Sequence, residues 1–253
     1  MKIDILTLFP EMVEGFINTS IIKRAIEKEI IQVNLINFRD YSPLNNKQVD
    51  DTPYGGGAGM ILRCEPIFEC LDSIDTEDAY IILLSPEGTK YKQDVAKRLK
   101  EHKHLIIICG HYEGYDERIK TRVDEVISIG DYILTGGEIP AMAITDSVAR
   151  LLPGVITKAS LDDESFNDNL LDYPTYTKPA EYRGLKVPDV LVSGNHKLIN
   201  EYRKNLHLFL PKEYSGKALK SLHSFRFINH KGNVQSFYWN TSEMIKSNHI
   251  LWR

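Results

Sequence analysis

The chain has 253 residues, of which 42% are hydrophobic, a composition typical of a globular protein with a substantial core. Its longest apolar runs, YIILL (80–84) and LIIIC (105–109), are too short to cross a bilayer, so we expect no membrane span. The net charge of −4 is uneven, because residues 204–253 carry eight Lys or Arg and two acids, a net of +6. This basic segment indicates either a contact with a polyanion or simply a solvated basic face.

Five apolar runs of strand length recur through the first half of the chain. They are KIDILTLF (2–9), IIQVNLINF (30–38), AYIILLS (79–85), HLIIICG (104–110) and DEVISIG (124–130). Helical patterns lie between several of them, over residues 11–29, 65–74 and 91–102. Such alternation is typical of an α/β fold with a parallel sheet that helices cover on both faces.

The fifth run leads through a glycine turn into another helix, whose first turn accommodates Pro140. The apolar stripe of this helix consists of Ala141, Ile144, Val148 and Leu151. Residues 155–190 then lose periodicity, which marks a domain boundary, because a structureless segment of this length inside a domain is unusual. A helix is predicted again over residues 193–206, with Ser193 as a candidate cap.

Glycine turns follow three of the predicted strands, at SPEG (85–88), CGHYEG (109–114) and GDYILTGGE (130–138). Ligands bind at the carboxyl ends of strands in such sheets, so the three turns are expected to converge on one pocket. The turns lack the phosphate-binding motifs G-x-x-x-x-G-K-[ST] and G-x-G-x-x-G, and the only charges of the third are Asp131 and Glu138. A nucleoside-like ligand without phosphates fits best, such as S-adenosylmethionine, whose sulfonium prefers negative or carbonyl oxygen.

A specific resemblance rests on eight stretches of residues 1–200. They are LFPEM (8–12), VDDTPYGGGAGM (49–60), LSPEG (84–88), CGHYEGYDERI (109–119), SIGDYILTGGE (128–138), DSVARLLPGV (146–155), YPTYTKPAEYRG (173–184) and VPDVLVSGNH (187–196). Together, and in this order, they resemble the TrmD family of bacterial tRNA (guanine-N1)-methyltransferases, within the SPOUT superfamily.

The resemblance implies a fold and an assembly. The α/β parallel sheet is expected to contain a deep trefoil knot, an exception to the rule against knots, beside a small, mainly helical C-terminal domain. Residues 1–157 would form the knotted cofactor-binding methyltransferase domain, residues 158–190 an interdomain linker with the catalytic loop, and residues 191–253 a C-terminal tRNA-binding domain. The family also implies a homodimer with active sites built from both chains, and dependence on Mg²⁺, for which the sequence shows no ligand cluster.

The implied reaction transfers a methyl group from S-adenosylmethionine to N1 of the guanosine at tRNA position 37, which lies 3′ of the anticodon. The cofactor contacts of the family fall on fourteen residues of this chain. They are Leu84, Ser85, Pro86, Gly110, Tyr112, Glu113, Ile129, Gly130, Asp131, Tyr132, Ile133, Leu134, Gly136 and Gly137.

Two catalytic roles are implied as well. The family's arginine falls on Arg150, whose guanidinium would stabilise negative charge on the exocyclic oxygen of guanine. Its general base belongs in LDDESF (161–166), where Glu164 occupies the position of the usual aspartate. Glutamate reaches about 1.5 Å further, a displacement that matters for placement. Either Glu164 serves with a shifted loop or Asp163 takes over, and we favour Glu164.

Other features leave alternatives open. The resemblance fades beyond about residue 204, where the segment is either a divergent tRNA-binding region or a stretch read out of frame. The altered acid and this tail also admit a catalytically impaired tRNA-binding relative, whereas a nicotinamide dehydrogenase lacks its fingerprint. His111 and His196 lie in shared motifs without an assigned role. Three cysteines without a C-x-x-C pair predict buried thiols in a reduced, cytoplasmic protein.

Overall fold

The structure is a computed structural model that describes residues 1–157, 170–171, 173–206, 208–209, 224–228 and 234–238. The chain forms two compact units, Met1–Asp163 and Glu164–Arg253. The candidate bases Glu164 and Asp163 lie outside the described residues. None of the described helices is long and apolar enough to span a membrane.

The first unit is built on a parallel sheet. Its strands are β1 (Lys2–Thr7), β2 (Gln32–Asn37), β3 (Asp50–Asp51), β4 (Ile61–Leu62), β5 (Ala79–Lys90), β6 (His104–Ile108) and β7 (Glu125–Ser128). Five of them form the sheet in the order β2-β1-β6-β5-β7, with every pair parallel, while β3 and β4 form a separate antiparallel pair. The predicted α/β fold with a parallel sheet is therefore confirmed, although the SPEG turn proves to be an irregularity within β5, between Leu84 and Thr89.

Five helices accompany the sheet within the described residues 1–157. They are α1 (Pro10–Ile17), α2 (Ser20–Glu27), α3 (Cys64–Ser73), α4 (Gln93–Leu99) and α5 (Glu138–Ala149). The pattern over residues 11–29 yields two helices rather than one, because Thr19 adopts an extended backbone between them. The Thr19 hydroxyl donates a hydrogen bond to the Gly15 carbonyl at 2.8 Å and so helps to end α1.

Both faces of the sheet are buried, as the continuous apolar strands predict. One face packs Ile3, Ile107 and their neighbours against α1, α4 and α5. The opposite face packs Leu6, Ile108 and their neighbours against α3 and the 3-10 turns at Phe38–Tyr41 and Glu117–Arg122. The cysteines are buried, free thiols within these cores, which confirms the prediction of buried thiols.

Helix α5 runs from the carboxyl ends of the strands to their amino ends. It begins beside the end of β6, where the Gly137 amide donates to the Gly110 carbonyl at 2.9 Å. It ends near the amino ends of the strands, where Ala149 packs with Ile31, next to the start of β2. Because α5 has 12 residues, its two ends lie about 18 Å apart along the axis.

The second unit contains short elements. They are β8 (Leu170–Leu171), β9 (Glu181–Tyr182), β10 (Leu185–Lys186), the helices Asp189–Val192 and His196–Leu206, β11 (Leu208–Phe209), β12 (Ser224–Ile228) and β13 (Val234–Tyr238). The strands pair as the antiparallel ladders β9-β10, β8-β11 and β12-β13. The Asn195 side chain accepts hydrogen bonds from the amides of Lys197 and Leu198, so the predicted cap at Ser193 is wrong. A mainly helical C-terminal domain and the proposed domain boundaries stay predictions.

Candidate active site

A cavity of about 330 Å³ opens at the carboxyl edge of the sheet, where β6 and β7 end and β5 becomes irregular after Leu84. Its walls come from residues 84–86, 110–115, 127–130 and 132–137, with Pro140 of α5 completing the lining. The three glycine turns, far apart in sequence, thus meet at one place. A cavity of this size at the carboxyl ends of parallel strands is the usual position of a small-ligand site in an α/β fold.

Most of the predicted cofactor contacts line this cavity. Thirteen of the fourteen do so, namely Leu84, Ser85, Pro86, Gly110, Tyr112, Glu113, Ile129, Gly130, Tyr132, Ile133, Leu134, Gly136 and Gly137. Asp131 does not line it, and its carboxylate instead pairs with the Lys90 ammonium. Their role as cofactor contacts stays a prediction.

Two glycines allow main-chain segments to approach closely at the cavity floor. A Cβ atom at Gly137 would lie 2.6 Å from the Cα of Cys109, and one at Gly110 would lie 2.9 Å from the Leu84 carbonyl oxygen. Both distances are far shorter than a van der Waals contact between these atoms. Glycine at these positions therefore lets the turn before α5, the end of β6 and the start of the irregularity in β5 touch backbone to backbone.

A buried polar network ties the walls of the cavity together. The Glu138 carboxylate, at the first residue of α5, is fully buried and accepts a hydrogen bond from the Thr7 hydroxyl at 2.5 Å. The Nε2 atom of His111 lies 2.7 and 2.9 Å from the two carboxylate oxygens. Thr7 Oγ1 also accepts from the Phe9 amide at 2.9 Å. The network joins the ends of β1 and β6 to the start of α5.

The Glu138 carboxyl is ionised in spite of its burial. Burial alone would raise its pKa, but the hydrogen bonds from His111 and Thr7 outweigh that effect and hold the pKa below its usual value. The positive end of the α5 dipole also favours a carboxylate at this position. The space beside Gly136 is filled by the same pair, since a Cβ there would lie 2.3 Å from His111 Cε1 and 2.5 Å from Glu138 Oε2.

The two acids of the third turn, Asp131 and Glu138, have different surroundings. Of the two acids of this turn, Glu138 is buried and pairs with His111 and Thr7, whereas Asp131 is exposed outside the cavity lining and pairs with Lys90 at the surface. The polar groups that line the cavity beside this turn are therefore mainly those of the main chain. For a sulfonium, carbonyl oxygen is the partner that the turn offers.

One side of the cavity carries a polar rim. Tyr115 lines the cavity and donates a hydrogen bond to Glu87, whose carboxylate also lies 2.9 Å from the Lys120 ammonium. Burial, reinforced by the hydrogen bond to Glu87, raises the pKa of Tyr115 to about 12. Tyr115 is therefore a neutral hydrogen-bonding group at neutral pH. Tyr112, also in the lining, has a backbone φ of 61°, a left-handed conformation uncommon for tyrosine.

The glycine-rich stretch 49–60 is attached to the same wall. The Glu113 amide donates to the Met60 carbonyl at 3.0 Å, and the Leu62 amide donates to the Gly114 carbonyl at 2.9 Å. Tyr54 within this stretch is fully exposed. The stretch therefore presents an aromatic ring to solvent on a support that is bonded to the cavity wall.

Arg150, the predicted catalytic arginine, is not beside the cavity of its own chain. It caps the carboxyl end of α5, one helix length of about 18 Å from Glu138 and the cavity floor. The fold thus separates the two parts of the predicted active site.

The sequence interpretation missed His111, Thr7 and the structural role of Glu138. Two signals could have found them: a histidine directly after a buried strand, and an acid at the first residue of a helix that is otherwise apolar on its inner face. The remaining lining residues that were not predicted are Gly114, Tyr115, Ile127, Ser128, Thr135 and Pro140.

Comparisons with known proteins agree with this architecture. A family model described as tRNA (Guanine-1)-methyltransferase TrmD matches residues 1–214, which reaches somewhat beyond residue 204. The chain is 57% identical over 210 residues to a tRNA (guanine-N(1)-)-methyltransferase of Carboxydothermus hydrogenoformans, covering 82% of this chain and 83% of the relative. It is 56% identical over 204 residues to the Malacoplasma penetrans protein of the same name, covering 81% and 90%. The chain therefore belongs to the TrmD family of tRNA (guanine-1)-methyltransferases.

Proposed function

We propose that this protein transfers a methyl group from S-adenosylmethionine to N1 of the guanosine at tRNA position 37. The observation that carries the proposal is the convergence of three family motifs, 84–88, 109–119 and 128–138, on one cavity at the carboxyl edge of the sheet. The names of the relatives supply the reaction and the substrate class.

The cavity suits S-adenosylmethionine in shape and chemistry. Its volume of about 330 Å³ lies at the lower end of the range for small-ligand pockets, and it is open on one side. Main-chain groups at Gly110 and residues 129–134 would bind adenine and ribose. The turn at residues 130–138 contains no Lys or Arg that would bind a phosphate. When bound, this cofactor supplies an electrophilic methyl group on its sulfonium.

The residues of the protein would then act on guanine. N1 carries a proton at neutral pH, so a carboxylate must accept it as the methyl group arrives, and Glu164 or Asp163 provides that group. Charge that develops on the exocyclic oxygen would be stabilised by the Arg150 guanidinium. The basic residues of 204–253 would add sequence-independent contacts with the tRNA backbone.

The complete site is proposed to require a homodimer. The helix α5 places Arg150 about 18 Å from the cavity of its own chain, so the arginine that serves one cavity would come from a second chain. Phe9, Met12 and Ile139 are exposed apolar side chains at the starts of α1 and α5, two helices that pack together on one face of the sheet. A second copy would cover this surface and remove its apolar area from water.

The trefoil knot and the magnesium ion also belong to the proposal. The knot would involve residues 129–137. This segment comes back to the end of β6, where the main chain of Gly137 packs directly against that of Cys109. For magnesium, the described part of the chain contains no group of three or more His, Cys, Asp or Glu side chains that could hold an ion. No step is therefore assigned to magnesium.

Incubation with tritiated S-adenosylmethionine and an unmodified tRNA bearing guanosine 37 tests the proposal. We expect tritium in the tRNA, and no incorporation into the same tRNA with adenosine at position 37. Binding of tRNA without transfer would instead identify a catalytically impaired relative. Incorporation into both tRNAs would refute the assigned position.

A further inference from the structure

His111 and Glu138 form a buried histidine–carboxylate pair next to the cavity. Glu138 is fully buried, and the His111 side chain is 12% exposed. A buried carboxylate is stable only when hydrogen bonds replace the water that it loses, and here His111 and Thr7 supply them. The pair is therefore strongly constrained in its geometry.

The position of the pair matters more than its stability. His111 belongs to the 110–115 wall, and Glu138 directly follows the 134–137 wall, so their contact crosses the cavity floor between two lining segments. Gly136 leaves the room that the imidazole and the carboxylate occupy. The Phe9 ring, 5.0 Å from the imidazole between centroids, holds the histidine from a third direction.

We propose that His111 and Glu138 are positioning residues for cofactor binding, whose hydrogen bond holds residues 110–115 against residues 134–137 and so sets the width of the cavity. The inference rests on the proposed function, because the ligand is taken to be S-adenosylmethionine. It assigns His111 no contact with guanine and no part in proton transfer. Its loss should therefore weaken cofactor binding and leave the transfer step nearly unchanged once the cavity is filled.

Three substitutions of His111 separate hydrogen bonding from packing. In His111→Gln the side-chain amide can take the place of Nε2 and still donate to Glu138, whereas His111→Asn is too short and His111→Leu cannot donate. We expect Asn and Leu to raise the dissociation constant for S-adenosylmethionine about 10- to 100-fold, the effect of misplacing a wall by about 1 Å. Gln should stay within about 3-fold of the wild type. The single-turnover rate at saturating cofactor should change less than about 3-fold in all three.

The chain offers a matched control near the amino ends of β1 and β6. Asp4 and His104 form a second buried histidine–carboxylate pair, with Nε2 2.9 Å from the carboxylate, far from the cavity. His104→Leu removes the same kind of hydrogen bond from the same sheet. It should lower thermal stability without changing the dissociation constant for S-adenosylmethionine by more than about 2-fold.

Isothermal titration calorimetry and single-turnover methylation on the full chain decide the question. The inference is overturned if folded His111→Asn binds the cofactor as tightly as His111→Gln, or if the turnover rate rather than the affinity falls. It is also overturned if His104→Leu weakens binding as much as His111→Leu, because the effect would then be one of general stability. Should His111→Leu fail to fold, the contrast between Asn and Gln still decides. Absence of cofactor binding in the wild type would instead refute the proposed function.

Discussion

Substitution of Gly137 by alanine tests whether the cavity depends on backbone contact between the turn before α5 and the end of β6. The added Cβ would lie 2.6 Å from Cys109 Cα and 2.8 Å from the Gly110 nitrogen, both main-chain atoms that cannot rotate away. To restore an ordinary contact distance of about 3.6 Å, the turn before α5 and the end of β6 would have to move apart by about 1 Å. The displacement would stretch the 2.9 Å hydrogen bond from the Gly137 amide to the Gly110 carbonyl.

The expected loss has a thermodynamic and a functional part. Overpacking in a well-packed region costs about 1–3 kcal/mol of the free energy of unfolding. For a chain of this length, that loss lowers the melting temperature by roughly 2–4 °C for each kcal/mol. A shift of about 1 Å between two walls of the cavity should also weaken binding of S-adenosylmethionine by up to about 100-fold.

Urea unfolding and calorimetric titration measure the two parts, with Gly15→Ala as the control. Gly15 lies within α1, and a Cβ there would have no atom within 4 Å, so alanine should stabilise the helix by about 0.5–1 kcal/mol and leave binding unchanged. If Gly137→Ala is as stable as the wild type and binds the cofactor within about 2-fold, the close approach does not shape the cavity and the reasoning is wrong.

Three further predictions concern Arg150, Asp4 and Glu138. Arg150→Ala should slow single-turnover methylation roughly 100- to 1,000-fold while calorimetry shows nearly unchanged cofactor affinity; retained activity would remove its role. Asp4→Ala leaves His104 buried without its carboxylate and should cost about 3–5 kcal/mol in urea unfolding, with cofactor affinity unaffected. The pKa of Glu138 is depressed on folding, so its contribution to stability is present above its ordinary value of 4.5 and is lost as pH falls through the lower folded value. Glu138→Gln should therefore flatten the acid dependence of unfolding in that range, and an unchanged slope would contradict the assignment.

The sheet could be predicted from the sequence because its signal is local and strong. Runs such as LIIIC (105–109) are apolar at every position, since Leu105 and Ile107 face one core while Ile106 and Ile108 face the other. A strand buried on both faces has few alternatives. The helix boundaries depend on single capping residues, and there the sequence misplaced the cap at Ser193, because the side chain of Asn195 competes for the same role.

The floor of the candidate site could not be predicted because its contacts are long-range. Thr7 and Glu138 are 131 positions apart in sequence, and no periodicity or spacing brings them together. The sequence identified Glu138 as one of two charges of the third turn, and the fold buries it against His111. The turn motifs predicted where the candidate cavity lies, but the pairing of the acids beside it depends on tertiary contacts.

The choice between Glu164 and Asp163 as general base is carried by the sequence, since both lie outside the described residues. Ser165 and Phe166 match the end of the family pattern and fix the register of LDDESF, so we propose Glu164 as the base. A loop can accommodate one additional methylene more easily than a shift of one whole residue, which would turn the side chain in another direction.

Single-turnover rates of three variants decide between the two acids. Glu164→Gln removes the proton acceptor at nearly constant shape and should slow methyl transfer roughly 100- to 10,000-fold, whereas Asp163→Asn should cost far less. Glu164→Asp should hold or improve the rate, because it restores the residue that the family usually has. Calorimetry with S-adenosylmethionine serves as the control, since neither acid is expected to contact the cofactor. If Asp163→Asn is inactive while Glu164→Gln transfers methyl groups at a normal rate, the register argument is wrong and Asp163 is the base.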